Sequence, residues 1–336
     1  MTRYIKILII FVLILLANPI YSQNINNLDN LQASVKEFSK NMAMSLPFNS
    51  TIGLNWSDAY IGQLVGIPPG LGVGATVGAT TVNLNPINKL LSQFYYELPD
   101  SQLGFPLPGY TIEARIGGFI IPFDIGVKFG YLNMDSLASF DVALDYMLIG
   151  GDIRFSVINS KIAPVNLSVG LGYNHLRGGI TTTVPMGTED GFSFYVPGDG
   201  SYILSMDDPE LGVLWKTDVL EAKAQVSFPL VVITPYVGLG VSYAWSTVGY
   251  RVNSSVNVSG TGGKTLDDLI ETLNQYGLSN IRADKGFNSM VNVSDWNTRV
   301  FGGISLNLLI FRFDFTAMYN VRDSNYGATI GLRIQL

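Results

Sequence analysis

From Phe311 to Asn320 the chain alternates without a break: Phe311, Phe313, Phe315, Ala317 and Tyr319 are separated by Arg312, Asp314, Thr316, Met318 and Asn320. Successive side chains of a strand point to opposite faces, so this segment has one apolar face and one that carries full charges. The pattern recurs from Tyr326 to Leu336 and, upstream, in Leu71 to Val82, Tyr110 to Ile121, Phe123 to Leu132, Leu144 to Ile158, Ala163 to His175, Thr217 to Phe228, Val231 to Trp245 and Asn297 to Leu308. In Leu220 to Phe228 the apolar set is Leu220, Ala222, Ala224, Val226 and Phe228, against Glu221, Lys223, Gln225 and Ser227. Ten runs of this kind predict an all-β chain, a transmembrane antiparallel β-barrel with lipid outside and a polar lumen inside. The count is about ten strands, up to fourteen if parts of Leu176 to Lys216 and Ser246 to Trp296 also span.

The connections support the same reading. Ile121-Pro122-Phe123, Asn159-Ser160-Lys161, Phe228-Pro229-Leu230 and Leu308-Leu309-Ile310 are short, and they alternate with longer connections, of which 83–109, 176–216 and 246–296 are the long external loops. Alternation of short periplasmic turns with long outer loops is expected of a barrel, and places the N-terminal segment and Leu336 on the short-turn side. Tyr173, Tyr243, Trp245, Tyr319 and Tyr326 fall near strand ends, where an aromatic girdle belongs.

Before the first strand the period changes. A short basic stretch, an apolar run from Ile7 to Ala17 and Ile20-Tyr21-Ser22 read as a signal peptide over 1–22, so the chain is expected to be exported. Residues 23–70 read as an N-terminal plug or hatch, and 71–336 as the barrel. Leu28, Leu31, Val35, Phe38 and Met42 recur at helical spacing, which predicts an amphipathic helix over Asp29 to Met44. The inward face of the first strand is Gly72, Gly74, Thr76 and Gly78, a nearly bare groove on which the helix can rest; a periplasmic extension is the alternative.

Composition narrows the class. Only 14% of the 336 residues are charged, against roughly 25% in an average soluble domain, yet 47% are hydrophobic, which suits apolarity spread over strands. The net charge of -6 and the lack of a basic cluster argue against a nucleic-acid partner. With no cysteine and a single histidine, His175, no metal site, cofactor or enzymatic activity is expected.

Two sets of residues are candidates for function. After Asn85-Pro86, Ile87, Leu90, Leu91, Phe94 and Tyr95 recur at helical spacing, and a second stripe, Leu269, Ile270 and Leu273, follows the capping-box-like Thr265 and Asp268. These stripes could form a groove over the mouth that captures an apolar ligand, or merely a lid. On the inward face, Glu113, Arg115, Asp152, Arg154, Arg312 and Asp314 form a charge network of mixed sign, with Lys128, Glu221, Lys223, Arg299 and Arg333 also inward.

The run Leu107-Pro108-Gly109-Tyr110-Thr111-Ile112-Glu113-Ala114-Arg115-Ile116-Gly117-Gly118-Phe119, the run Pro122-Phe123-Asp124-Ile125-Gly126-Val127-Lys128, the signal peptide, the plug and the long loops together resemble the FadL-type outer-membrane proteins of bacteria. The resemblance implies uptake of long-chain fatty acids or similar hydrophobic molecules into a pocket above a luminal hatch, with exit sideways through the wall. The partners it implies are membrane lipids and the ligand. A host-binding adhesin with an external protein partner and a narrow general porin are the alternatives.

Overall fold

The computed structural model describes residues 25–82, 104–134, 142–159, 164–183, 192–196, 200–206, 210–253, 256–260, 268, 281–282 and 286–336. A helix, α1 (Ile25–Asn49), precedes fourteen strands: β1 (Leu71–Val82), β2 (Phe105–Gly117), β3 (Phe123–Met134), β4 (Val142–Asn159), β5 (Asn166–Thr183), β6 (Phe192–Val196), β7 (Gly200–Met206), β8 (Glu210–Ser227), β9 (Ile233–Asn253), β10 (Val256–Gly260), β11 (Ile281–Arg282), β12 (Gly286–Leu308), β13 (Phe311–Asn320) and β14 (Asn325–Gln335). Ten of them, β1 to β5, β8, β9 and β12 to β14, form a closed antiparallel barrel, sealed where β14 pairs β1 from Gly72↔Gln335 to Thr80↔Gly327. Strands β6, β7 and β10 make a separate three-stranded sheet.

In the half of the barrel next to the short turns the alternation places the described charges as a barrel requires, whereas Asp145, Arg177, Lys216 and Asp218, nearer the long loops, lie on the outward parity. Ile112, Val127, Leu171, Leu220, Leu239, Phe315 and Ile330 are exposed on the outside, while Glu113, Lys128, Asp152, Glu221, Asp314 and Arg333 are buried inside. The apolar belt continues over the short turns, where Ile120, Val231 and Leu309 are among the most exposed side chains. From Ile310 up to Tyr319, a rise of about 3.3 Å per residue on strands tilted by ~40° spans roughly 23 Å, close to the ~25 Å of a barrel's lipid band. The turn tips therefore sit at the inner lipid boundary, which is why they are apolar. The outer boundary is marked by aromatic pairs, Tyr243 with Trp245 and Trp296 at 4.9 and 5.1 Å, and Tyr319 with Tyr326 at 5.2 Å.

The strands run further outward than the two-faced pattern. β5 continues past His175 to Thr183, β8 starts at Glu210 rather than Thr217, β9 reaches Asn253 rather than Trp245, and β12 starts at Gly286 rather than Asn297. The ladder between β9 and β12 extends to Phe287↔Val252. Above the lipid both faces of a strand meet water, so hydrogen bonding persists where the apolar alternation has stopped. The long loops shrink accordingly to 83–104, 184–209 and 254–285.

A second difference concerns the N-terminal segment. It does join β1 at the short-turn rim, beside the bond from Leu336 N–H to the Leu71 carbonyl. It arrives there, however, by descending through the lumen. Along α1, Lys36, Glu37 and Lys40 are exposed, and from Met42 onward the helix is enclosed. Met42, Ala43 and Leu46 pack against Val82, Leu107, Tyr146, Leu148, Leu176, Trp215 and Val248, which lie toward the long-loop ends of their strands. The helix thus enters the barrel from the long-loop side.

Candidate functional site

The lower lumen is built by a simple rule of placement. Across the ladders Arg115 faces Gly126, which faces Asp152, which faces Gly172, which faces Glu221. One row away Asp124 faces Arg154, then Gly170, Lys223, Gly240 and Arg299. The glycines leave room for the long charged side chains: a Cβ on Gly126 would lie 2.7 Å from both Arg115 and Asp152. Arg115 binds Asp124 at 2.5 Å and Asp152 at 2.7 Å, Arg154 binds Asp124 at 2.8 Å, Lys223 binds Asp152 at 2.5 Å, Arg299 binds Glu221 at 2.6 Å and Arg333 binds Asp314 at 2.7 Å.

Residues 50–63 lie across this lattice and are held by it. The Glu113 carboxylate accepts from the Trp56 indole at 2.6 Å and from Leu54 N–H at 2.8 Å. Lys128 donates to the carbonyls of Ser50 and Ile52, both at 2.7 Å, and Gln225 to those of Trp56 and Ser57 at 2.7 and 3.0 Å. Arg154 donates to the Asp58 carbonyl and Arg333 to its carboxylate, each at 2.8 Å, and Arg299 to the Asn55 amide oxygen at 3.1 Å. Counting Asp58, six buried cations (Arg115, Lys128, Arg154, Lys223, Arg299, Arg333) meet six anions (Asp58, Glu113, Asp124, Asp152, Glu221, Asp314). Such a balanced, bonded lattice offsets the cost of taking charges out of water. The chain turns into it at Gly53, whose φ of 87° suits glycine, and Leu54, held at φ 57° by its bond to Glu113.

The glycine face of β1 is used differently from the expected helix groove. A Cβ on Gly72 would lie 2.8 Å from the Trp56 ring, and Gly74 and Gly78 are closed over by Arg333 and Thr329 of β14. The Trp56 ring also receives the guanidinium of Arg333 at 4.7 Å.

Above this charged floor the lumen wall changes character. Val82, Leu107, Tyr146, Leu148, Leu176, Trp215 and Val248 point inward and form an apolar collar around α1. Polar lumens are usual in such barrels, so an apolar inner wall calls for an explanation.

The wall itself has a discontinuity beside the collar. β1 pairs β2 from Leu71↔Ile116 to Val82↔Phe105, and β3 pairs β4 from Phe123↔Phe155 to Met134↔Leu144. The ladder between β2 and β3 runs only from Ile112↔Phe129 to Gly117↔Asp124. Pro106 and Pro108 lack the N–H a ladder needs, and outward of Ile112 the tie is side chain to backbone: the Tyr110 hydroxyl bonds the carbonyl of Tyr131 and accepts from its N–H at 2.9 Å. This seam starts near the outer lipid boundary and lies over Leu107 and Gly109 of the collar.

At the mouth, Ala43, Met44, Pro47, Ala244, Val293, Asp295, Trp296, Arg322 and Asp323 line a cleft between α1 and the wall. Burial pushes the Asp323 carboxyl above its ordinary value, opposed by a hydrogen bond from Asn320 and by Arg322. On the outer surface His175 Nδ1 and the Tyr173 hydroxyl lie 2.7 and 2.6 Å from Asp218.

Of the network residues singled out in the sequence, Arg115 and Asp152 pair directly, and Arg154 joins them through Asp124. Glu113 serves the inner segment instead, and Asp314 pairs Arg333. Arg312 is half-buried, and its Nε has no hydrogen-bond partner among the described residues. Asp58 and Trp56 escaped notice because the inner segment has no period. Asp124 shares the even parity of Lys128 and was legible. The mouth groove of Leu90, Leu91, Phe94, Tyr95, Leu269, Ile270 and Leu273 lies outside the described residues, as do residues 1–24 and the side chains of Leu31, Val35 and Phe38; of the plug set, Met42 is buried in the collar.

Residues 149–336 match a family described as a family of unknown function (DUF6588). Comparison with curated proteins gives no match. Among solved structures the chain is similar to the outer membrane protease OmpT from Escherichia coli, at 12% identity over 79% of this chain and 96% of that one, with a TM-score of 0.41. It is also similar to a major outer membrane protein from Thermus thermophilus (12% identity, 79% and 99% covered, TM-score 0.31) and to the Ralstonia pickettii toluene transporter TbuX (10%, 79% and 89%, TM-score 0.24).

Proposed function

The chain belongs to the DUF6588 family, whose function is unknown, and from its barrel we propose that it is a bacterial outer-membrane protein for uptake of hydrophobic small molecules, gated by its own N-terminal segment. The FadL-type resemblance implies a long-chain fatty acid as the ligand. The observation that carries the reading is the seam: an apolar collar lies directly behind the longest stretch of described wall where two neighbouring barrel strands share no ladder. A molecule that enters the collar can pass between β2 and β3 into the lipid, so it never needs the barrel axis. The charged floor, clamped by residues 50–63, blocks that axis and speaks against a general porin.

The chain has no cysteine, so a cross-link can be placed cleanly. Extending the register of Ile112↔Phe129 upward sets Pro108 opposite Asn133. Oxidation of the double variant Pro108→Cys, Asn133→Cys is expected to stop uptake of a labelled fatty acid or an aromatic hydrocarbon into proteoliposomes, and reduction to restore it. Equal uptake by the cross-linked and reduced forms would overturn the lateral route.

A further inference from the structure

Among the described residues several buried polar atoms find no hydrogen-bond partner, Arg115 Nε and Gln225 Oε1 in the floor and Trp215 Nε1 in the collar among them, and two more lie close to one another. The Asn49 amide donates to Thr80 Oγ1 and to the Leu107 carbonyl, both at 3.0 Å, which fixes its orientation and leaves Oδ1 without a partner among the described residues. The Tyr146 hydroxyl donates to no acceptor among the described residues. Both side chains are more than nine-tenths buried. They converge on one spot: from the point where a Cβ on Gly109 would lie, the Tyr146 hydroxyl is 3.0 Å away, Asn49 Oδ1 3.7 Å and Ile52 Cδ1 2.8 Å. Gly109 belongs to the stretch of β2 that has no ladder with β3, and the Tyr110 ring that ties the seam stacks on Tyr146 at 5.9 Å. A donor and an acceptor thus both lie within 4 Å of that point at the inner edge of the seam, with Ile52 against it in this state.

We infer that this pair is a head-group site for a neutral, hydroxyl-bearing hydrophobic molecule, such as a long-chain alcohol. The inference rests on the uptake reading above and names its ligand class. A hydroxyl oxygen accepts from Tyr146 and donates its own proton to Asn49 Oδ1, so one group satisfies both orphan atoms. A hydrocarbon leaves both unpaired. A carboxylate can use the Tyr146 proton but meets the Asn49 oxygen with a second acceptor, and the buried residues of the collar cluster carry no charge to balance it. Lys128, one of the six cations of the floor, is committed to the carbonyls of Ser50 and Ile52. The glycine at position 109 matters because any side chain would fill the site.

The test is competition of dodecanol, dodecane and dodecanoate against a hydrocarbon fluorophore bound to the full-length protein in detergent, at about pH 8, where the acid is ionised. Dodecanol is expected to bind about tenfold more tightly than the other two, the worth of a pair of buried hydrogen bonds. In Tyr146→Phe the ratio of dodecanol to dodecane affinity should fall to within about twofold. Equal binding of dodecanol and dodecane by the wild-type protein would overturn the head-group site, water then satisfying the two atoms, and leave the uptake reading standing. Tightest binding of dodecanoate would overturn it in favour of a fatty acid. Failure of all three to displace the fluorophore would overturn both readings.

Discussion

Asp124 is the residue on which the lattice turns, because one carboxylate bridges Arg115 and Arg154, and all three side chains are buried. Removing it leaves two guanidinium groups in a dry lumen without their shared anion. Asp124→Ala is therefore expected to destabilise the barrel by about 3 to 5 kcal/mol, read as a lower midpoint of urea unfolding in vesicles. Arg322→Ala breaks an ion pair with Asp295 that is about two-fifths exposed, and should change the same midpoint by less than about 1 kcal/mol. At this scale the strand charges were legible, since parity alone separates Glu113, Lys128 and Asp152 from the lipid face. Which charge meets which was not, because partners are chosen by the stagger between strands and by the glycine opposite each long side chain.

At the scale of elements the helix and the floor are separable. Helix α1 fills the apolar collar, whereas residues 50–63 are bound by Glu113, Lys128, Gln225 and Arg154 below it. Deleting 25–49 should leave a folded barrel that conducts no more than wild type in planar bilayers, because the floor remains. Deleting 25–63 should open a steady conductance while the wall keeps its ladders. Similar currents from both deletions would show that the helix, not the floor, is the barrier. The helix was foreseen over Asp29 to Met44 and extends over Ile25–Asn49, through Pro47. A proline there costs one hydrogen bond, but Met42, Ala43, Leu46 and Phe48 are buried around it, and that packing outweighs the local break.

At the scale of the whole molecule, the path of α1 sets the exposure of the N-terminal segment. If the long loops face outward, Lys36 lies on the cell surface, although the chain joins β1 at the opposite rim. In intact cells a membrane-impermeant maleimide should label Lys36→Cys as readily as Ser294→Cys on outer β12, and should spare Val65→Cys until the outer membrane is permeabilised. Labelling of Lys36→Cys only after permeabilisation would reverse the direction of the helix.

The period of two alone marked out a barrel of about ten strands, with up to fourteen open, and which side chains face lipid, because it ties each residue to one face and lipid tolerates no charge on its own. The sequence also marked the helix, through spacing alone. The rest depends on neighbours distant in the chain. The β2–β3 seam, the clamp of residues 50–63 on the charged floor and the orphan pair at Asn49 and Tyr146 all arise between segments whose own patterns are silent about each other. The outward course of α1 is of the same kind: amphipathicity says that a helix needs an apolar partner, and only the closed barrel supplies one, inside its outer half.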